Sequence, residues 1–430
     1  VTDPSAARVP GPPPSGPEGA PAAAPPAPEP KSGLLAAFAF PAFRNLWLGA
    51  FLSSVGTWIQ DVALSWLIHA RMGDPFYLGL RSFAQEAPLL AFMVIGGAAA
   101  DRVDRRFILL SSQTFQMAMA MLLGVLYLFD RLGIVAIVTI AFATGLVQSQ
   151  SAPTYQAVIT SLVPRERIAN AVALNSFQFN LSRAIGPVVA GVLLAQAGAG
   201  WCFAANALSF VGVILALRAI ALPPPPARPR ESLAESLRAG FRAVADTPRL
   251  RNATLLAGAA SFLAFPLITY LPVLAGDVLR TGARGYSLLL TSIGVGAIAG
   301  ALATARRGHA PGRGRLMLAA FAMFGTLAAA ASLSRLQALS MLLLVAAGFM
   351  LTTAFSTLNS LVQEMAPDAL RGRVLSIFGL AFRGGGPLGS LLAGFLVRGA
   401  GAPAVMAVYS ALLAGVAATL LLRKTELRGA

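Results

Sequence analysis

One cysteine and two histidines are the only thiol and imidazole groups in this 430-residue chain. Cys202 has no second thiol with which to close an intrachain disulfide, and His69 and His309 sit near the ends of apolar runs without forming a ligand cluster. Neither redox chemistry nor a metal site is expected, and no cofactor is expected either. Charge is scarce too: Asp, Glu, Lys and Arg make up 12% of the residues, where a soluble domain carries about a quarter. Acids are the scarcer sign, 17 against 33 Lys and Arg. The chain lacks a phosphate-cradling GxxxxGK, a His, Cys and acid group at metal-ligand spacing, and any polar stretch long enough to house a catalytic domain. An enzyme and an ATP-driven pump are therefore not expected. A charged region followed by an apolar core and a small-residue cleavage site is also missing at the start, so the first apolar run is expected to direct insertion itself.

What fills the chain is apolar: 56% of it is AVILMFWYC, and mean hydropathy is +0.71. After Phe43 and Arg44 the apolar runs recur at approximately 45–70, 76–100, 107–129, 133–157, 169–197 and 201–221. Six more follow at 252–276, 284–305, 315–334, 336–361, 370–397 and 402–422. Each is long enough for a helix to cross a bilayer, since about 20 residues at about 1.5 Å each cover the hydrocarbon core. Net charge of +16 would suit a nucleic-acid binder only if it formed a face on a soluble domain, and here it lies between apolar runs. Arg71, Arg131, Arg280, Arg284, Arg335 and Arg398 fall in one set of loops and Arg81, Arg183 and Arg383 inside runs, leaving 24 of the 33 basic residues in the other set. By the positive-inside rule that set and both termini are expected in the cytoplasm of a bacterial inner membrane.

The expected fold is an all-α polytopic membrane protein of twelve transmembrane helices in two pseudo-symmetric six-helix bundles. Residues 1–42, rich in Pro and Ala, are expected to be a disordered cytoplasmic tail. The N-terminal bundle occupies 43–221, a cytoplasmic central loop 222–251, the C-terminal bundle 252–423, and a short cytoplasmic tail 424–430. Within the central loop, Leu233, Leu237, Phe241 and Val244 share one helical face and predict a short amphipathic surface helix. The two halves echo each other: Arg183, Gly186 and Pro187 recur 200 residues later as Arg383, Gly386 and Pro387. The preceding Pro164-Arg165-Glu166-Arg167 is matched by Pro367 with Arg371-Gly372-Arg373, as parallel repeats predict.

The loop after the second run reads GGAAADRVDRR, with Gly97, Asp101, Arg102, Asp104, Arg105 and Arg106 at the membrane edge. It resembles the signature loop of the major facilitator superfamily. From about Phe43 to Leu422 the chain also resembles the transmembrane secretion effector, or enterobactin exporter-like, subgroup of that superfamily. The phrases that carry this resemblance are VGTWIQDVALSWL, ADRVDRR, PTYQAVITSLVPRERIANAVALNS, LSRAIGPVVAGVLL, ANALSF, TYLPVLAGDVL and LRGRVLSIFG. The resemblance implies a cytoplasmic latch, with Asp101 contacting the start of the eleventh helix near Arg371 and Arg373 in one conformation and releasing it in the other. In the second half Thr304 stands where the acid would be, so the matching latch looks degenerate. Gly186-Pro187 followed by Gly191, with Arg183, and its echo Arg383-x-x-Gly386-Pro387, resembles the Gly-Pro element associated with antiporters in the superfamily. Read from the residues alone, it is equally a packing kink.

Asp61 and Glu86 are the acids inside the runs, and at such depth they are functional candidates by default. Asp61 shares a stripe with Ser54, Thr57 and Ser65, which predicts a wet cavity on that face. Three readings stay open for the acids: proton coupling, contact with substrate, or a static pair such as Glu86 with Arg81 or Asp61 with Arg183. Thr57, Arg81, Gln148, Asn175, Gln178 and Asn206 are the candidate cavity residues, either lining a substrate pocket or bonding helix to helix. Together these features predict a monomeric secondary transporter. It would export a small organic molecule by alternating access with protons as counter-ion, in contact with membrane lipid. An importer, a lipid-moving relative or a non-transporting scaffold or sensor are the other readings.

Overall fold

The computed structural model describes residues 35–95, 104–220, 233–308, 311–423 and 427. Gly97, Asp101 and Arg102 of the expected latch lie outside the described residues. The first six long helices are α1 (Pro41–Leu67), α2 (Phe76–Ile95), α3 (Arg105–Leu128), α4 (Ile134–Ser161), α5 (Ile168–Gln196) and α6 (Ala199–Ala219). A short α7 (Leu233–Asp246) follows. The second six are α8 (Pro248–Thr269), prolonged by the one-turn α9 (Leu271–Val273), then α10 (Gly282–Arg307), α11 (Arg313–Leu333), α12 (Gln337–Met365), α13 (Arg371–Ala400) and α14 (Ala402–Leu422).

Ten of these are long and apolar enough to cross a membrane by length and composition. Gln60 and Asp61 lower the hydropathy of α1, and α2 runs to the edge of the described residues at Ile95; both lie among the others and complete a twelve-helix bundle. Their outer faces are inverted relative to a soluble protein: Val135, Leu208 and Leu342 are 77%, 72% and 68% exposed. Such faces are at rest only against hydrocarbon, where the helix also satisfies its own backbone.

The two halves are built alike. In the first, α1 packs on α5, α2 on α4, and α3 on α6; in the second, α8 packs on α13, α10 on α12, and α11 on α14. Backbone meets backbone at small residues. A Cβ on Gly145 of α4 would stand 1.9 Å from the Gln85 carbonyl of α2, and one on Gly296 of α10 would stand 1.9 Å from that of Val345 in α12. Between the halves, α2 packs on α13 and α5 on α10. At the ends of the first and the seventh span the helix widens into π-type turns, Ile68–Met72 and Leu274–Val278.

Two expectations change. The N-terminal tail does not remain free up to residue 42: Ala36–Ala39 form a one-turn helix, and Pro41 opens α1. The amide of Ala37 donates to Asn170 Oδ1 at 2.9 Å, and Phe38 stacks edge-on against Trp47 at 4.9 Å, so burial of Ala37 and a ring contact outweigh the cost of ordering. The amphipathic helix does form as α7, but its apolar face is split: Val244 is buried and Phe241 remains 52% exposed. It lies along the first turns of α13, where a Cβ on Gly240 would stand 3.0 Å from the Arg373 carbonyl.

Candidate functional site

The loops rich in arginine mark one end of the bundle, the basic end; the loops around Asp74, Asp130 and Asp277 mark the far end. Toward the basic end, between the halves, lies a cavity of about 530 Å³. The first half supplies nearly all of its wall: Ser54, Thr57 and Trp58 from α1, Gln148 and Tyr155 from α4, Asn175 and Gln178 from α5. The second half contributes Arg383 of α13. Most of these side chains are neutral hydrogen-bonding groups, which an amphipathic helix in a membrane turns inward because lipid cannot solvate them.

Deeper, toward the far end, a second cavity of about 200 Å³ holds both intramembrane acids, Asp61 and Glu86, with Trp58, Ser65, Arg81 and Tyr286 around them. A third, of about 40 Å³, lies inside the first half among Thr57, Gln60, Asp61, Arg81, Gln148 and Asn206; it has room for a water or two. The three share walls. Trp58 faces the large and the middle cavity, Asp61 and Arg81 the middle and the small one, and Thr57 and Gln148 the small and the large one.

Arg81 forms an ion pair with Asp61 across α1 and α2, and also donates to Ser65 Oγ at 3.2 Å and to Gln85 Oε1 at 3.3 Å. This corrects both static pairs expected from the sequence: Arg81 serves Asp61 rather than Glu86, and Asp61 meets Arg81 rather than Arg183. The reason is registry. Asp61 and Arg81 sit at the same height on adjacent antiparallel helices, whereas Glu86, five residues on from Arg81, lies more than a helical turn along α2. Glu86 makes no hydrogen bond or ion pair among the described residues, though Arg383 and Asp61 lie within Coulombic reach of it.

Among the cavity candidates, Gln178 donates to Ser54 Oγ at 3.2 Å, Thr57 to the Ser53 carbonyl at 2.9 Å, and Asn206 to Gln60 Oε1 at 2.8 Å. Asn206 therefore ties α6 to α1 at the small cavity, away from the large one. Trp58, Phe179, Phe210 and Gln116, not anticipated from the sequence, also line the large cavity. A lone aromatic in an apolar run carries no signal that separates a pocket wall from a lipid face.

The Gly-Pro elements sit where helices pinch. A Cβ on Gly186 would stand 2.3 Å from Trp58 Cβ, one on Gly191 2.7 Å from Ser287 Cβ in the opposite half, and one on Gly386 2.9 Å from Phe265. Both helices run through their prolines unbroken, Ile168–Gln196 past Pro187 and Arg371–Ala400 past Pro387. Pro187 leaves the Arg183 carbonyl without its helical donor, and that carbonyl faces the close approach of Gly294 on α10, 3.1 Å from where a Cβ would be.

At the basic end the polar contacts described below each stay within one half. Asp104 caps its own helix, accepting from the Arg106 amide at 2.9 Å, and Arg106 reaches the Arg218 carbonyl. Arg371 pairs with Asp368 beside it. Arg105 is on the first turn of α3, and Arg373 is on the α13 turn that α7 covers. The far end is shut. Arg398 of α13 grips the Asp74 carboxylate with two guanidinium nitrogens, Nε at 2.9 Å from Oδ1, and its guanidinium lies 4.5 Å over the Phe76 ring. Phe76 packs on Phe395 at 4.4 Å, and His69 Nε2 stands 3.5 Å from Asp277 Oδ1.

Comparison with known proteins places this architecture. The description "transmembrane secretion effector" matches residues 32–429. The chain belongs to the transmembrane secretion effector family. It is 28% identical over 362 residues to the enterobactin exporter EntS of Escherichia coli O1:K1, covering 83% of this chain and 85% of that one. The same protein of Shigella boydii serotype 18 is 28% identical over 364 residues with the same coverage. Among solved structures, a bacterial homologue of the human lysosomal transporter Spinster, inward-facing and unoccupied, aligns with a TM-score of 0.64 at 16% identity, covering 89% of this chain and 96% of that one. The nucleoside transporter NupG aligns with a TM-score of 0.69 at 14% identity over 89% and 100%. The fold is thus that of the major facilitator transporters, and the chain is a multi-pass membrane transporter, not an enzyme.

Proposed function

We propose that this transmembrane secretion effector exports a small organic molecule from the cytoplasm of a bacterium across the inner membrane by alternating access, with protons moving inward in exchange. The observation that carries the reading is the pair of neighbouring cavities, the larger toward the basic end and the inner one lined by two carboxyl groups, with ion-pair and aromatic contacts joining the halves at the far end. The basic end and both termini are assigned to the cytoplasm by the charge bias. The family's relative EntS, an exporter by name, supports the outward direction.

Substrate enters the large cavity from the cytoplasm while the far-end clamp is closed; rocking of the halves about the α2–α13 and α5–α10 contacts then exchanges the open end. Glu86 is the carboxyl that can gain or lose a proton without breaking an ion pair, and Asp61, held by Arg81, sets the height of the floor. A proton entering down about 100 mV contributes roughly 2.3 kcal/mol, enough for a concentration ratio on the order of fifty.

The test is flux in proteoliposomes carrying an imposed pH gradient, across amphiphilic drugs and siderophore-like compounds. Wild type is expected to concentrate a substrate only while protons flow the other way. Glu86→Gln should lose the accumulation while still equilibrating substrate, and Asp61→Asn should lose less. Accumulation that survives both substitutions defeats the coupling assignment.

A further inference from the structure

The large cavity has one formal charge on its wall, and nothing among the described residues is bonded to it. Arg383 is exposed to the cavity and makes no hydrogen bond or ion pair among the described residues. Its guanidinium carries five donors in a planar fork that matches an acidic group. Glu86 attracts it only from the neighbouring cavity, without a hydrogen bond, so the donors remain available. Gln148 and Asn175 on the same wall add neutral hydrogen-bonding side chains. Trp58 offers an aromatic face beside them.

Resting on the transporter reading above, we propose that the substrate is an organic acid: an aromatic or amphiphilic molecule whose carboxylate, or an equally acidic group, docks on Arg383 while its neutral polar groups meet Gln148 and Asn175. The volume of about 530 Å³ fits a molecule of drug size. The second half thus holds the acidic group and the first half the body of the molecule, so a bound substrate bridges the halves that must rock together. A cation is disfavoured by the guanidinium, and a neutral amide forgoes the charge-assisted bond.

The test uses the full chain in nanodiscs of uncharged lipid and equilibrium dialysis with matched probes. Naphthalene and coumarin scaffolds would each carry a carboxylate, a carboxamide or an ammonium group. In wild type the carboxylate is expected to bind at least about tenfold more tightly than the carboxamide, with the ammonium weakest. Arg383→Gln should bring acid and amide level, and Arg383→Lys should restore part of the preference. The proposal is overturned if no carboxylate binds, if acid and amide bind alike in wild type, or if the acid preference survives in a monodisperse Arg383→Gln protein. The wild-type comparison decides even where that variant does not fold. Flux of the same probes separates this from the transport reading: acids that bind through Arg383 but never cross would sink transport alone. Neutral or cationic compounds expelled equally by wild type and Arg383→Gln would sink the acidic-substrate proposal alone.

Discussion

Arg81 takes the carboxyl on the other helix, Asp61, and not Glu86 on its own helix. Its side chain is 12% exposed and that of Asp61 28%, so the pair is shielded enough for its loss to be felt. Removing one partner strands the other charge in a poorly solvated place, and the cost of that exceeds the net worth of the intact pair. Arg81→Gln is therefore expected to destabilise the detergent-solubilised protein by about 2–4 kcal/mol, and Asp61→Asn alone by a similar amount. The double substitution should recover at least half of the loss, as a double-mutant cycle of thermal denaturation would show. Simple addition of the two single effects would mean that the pair is not what holds α1 to α2 here. That Asp61 and Glu86 were noteworthy was legible from their depth in apolar runs. Which of them Arg81 would choose was not, because the choice depends on the relative height of two antiparallel helices, α1 and α2, which no local pattern encodes.

At the scale of the element, the spans themselves were plain to read, since a bilayer demands a long apolar run and the chain supplies little else. The third was expected at 107–129 and forms at Arg105–Leu128; the seventh was expected at 252–276 and runs from Pro248 to Val278 with a break at Tyr270. The faces were less legible. Helix α4 has apolar residues all round, and only the close approach at Gly145 says which side meets α2. That approach gives a sharp expectation. Gly145→Ala places a methyl 1.9 Å from a carbonyl oxygen in a helix that cannot retreat, so a loss of about 3 kcal/mol or more is expected. Gly296→Ala should behave likewise. Gly415 of α14 has nothing within 4 Å of its absent Cβ, and Gly415→Ala should be neutral or stabilise by up to about 1 kcal/mol. Equal melting temperatures for all three variants would contradict the packing described.

For the whole molecule, the question is what holds the halves together at the far end. The Asp74–Arg398 grip joins residues 324 apart, one in the α1–α2 turn of the first half and one at the end of α13 in the second, and no sequence pattern couples them. Arg398 stands beside the Asp74 carboxyl and holds it below the usual carboxylate range through its hydrogen bonds, helped by the Phe76 amide. The sign follows. A carboxyl whose value is depressed in the closed state favours closure fully above about pH 4, its ordinary value, and that contribution disappears as pH falls through the depressed value. His69, which faces Asp277 at the same end, ordinarily titrates near about 6.5, so a His69→Gln background separates the two windows. The reporter is a thiol at Ser82→Cys, on the wall of the middle cavity, in a Cys202→Ser chain. It would be labelled from the far end with an impermeant reagent and normalised to Arg131→Cys on the exposed α3–α4 turn. In the His69→Gln background labelling should stay slow and constant from pH 8 to about pH 5 and rise only below about pH 4. Arg398→Ala should raise it at least several-fold at neutral pH and abolish the acid rise. If Arg398→Ala leaves the rate unchanged, the aromatic contact of Phe76 with Phe395 and the tight α5–α10 crossing at Gly191 close the far end on their own, and the ion pair only decorates it.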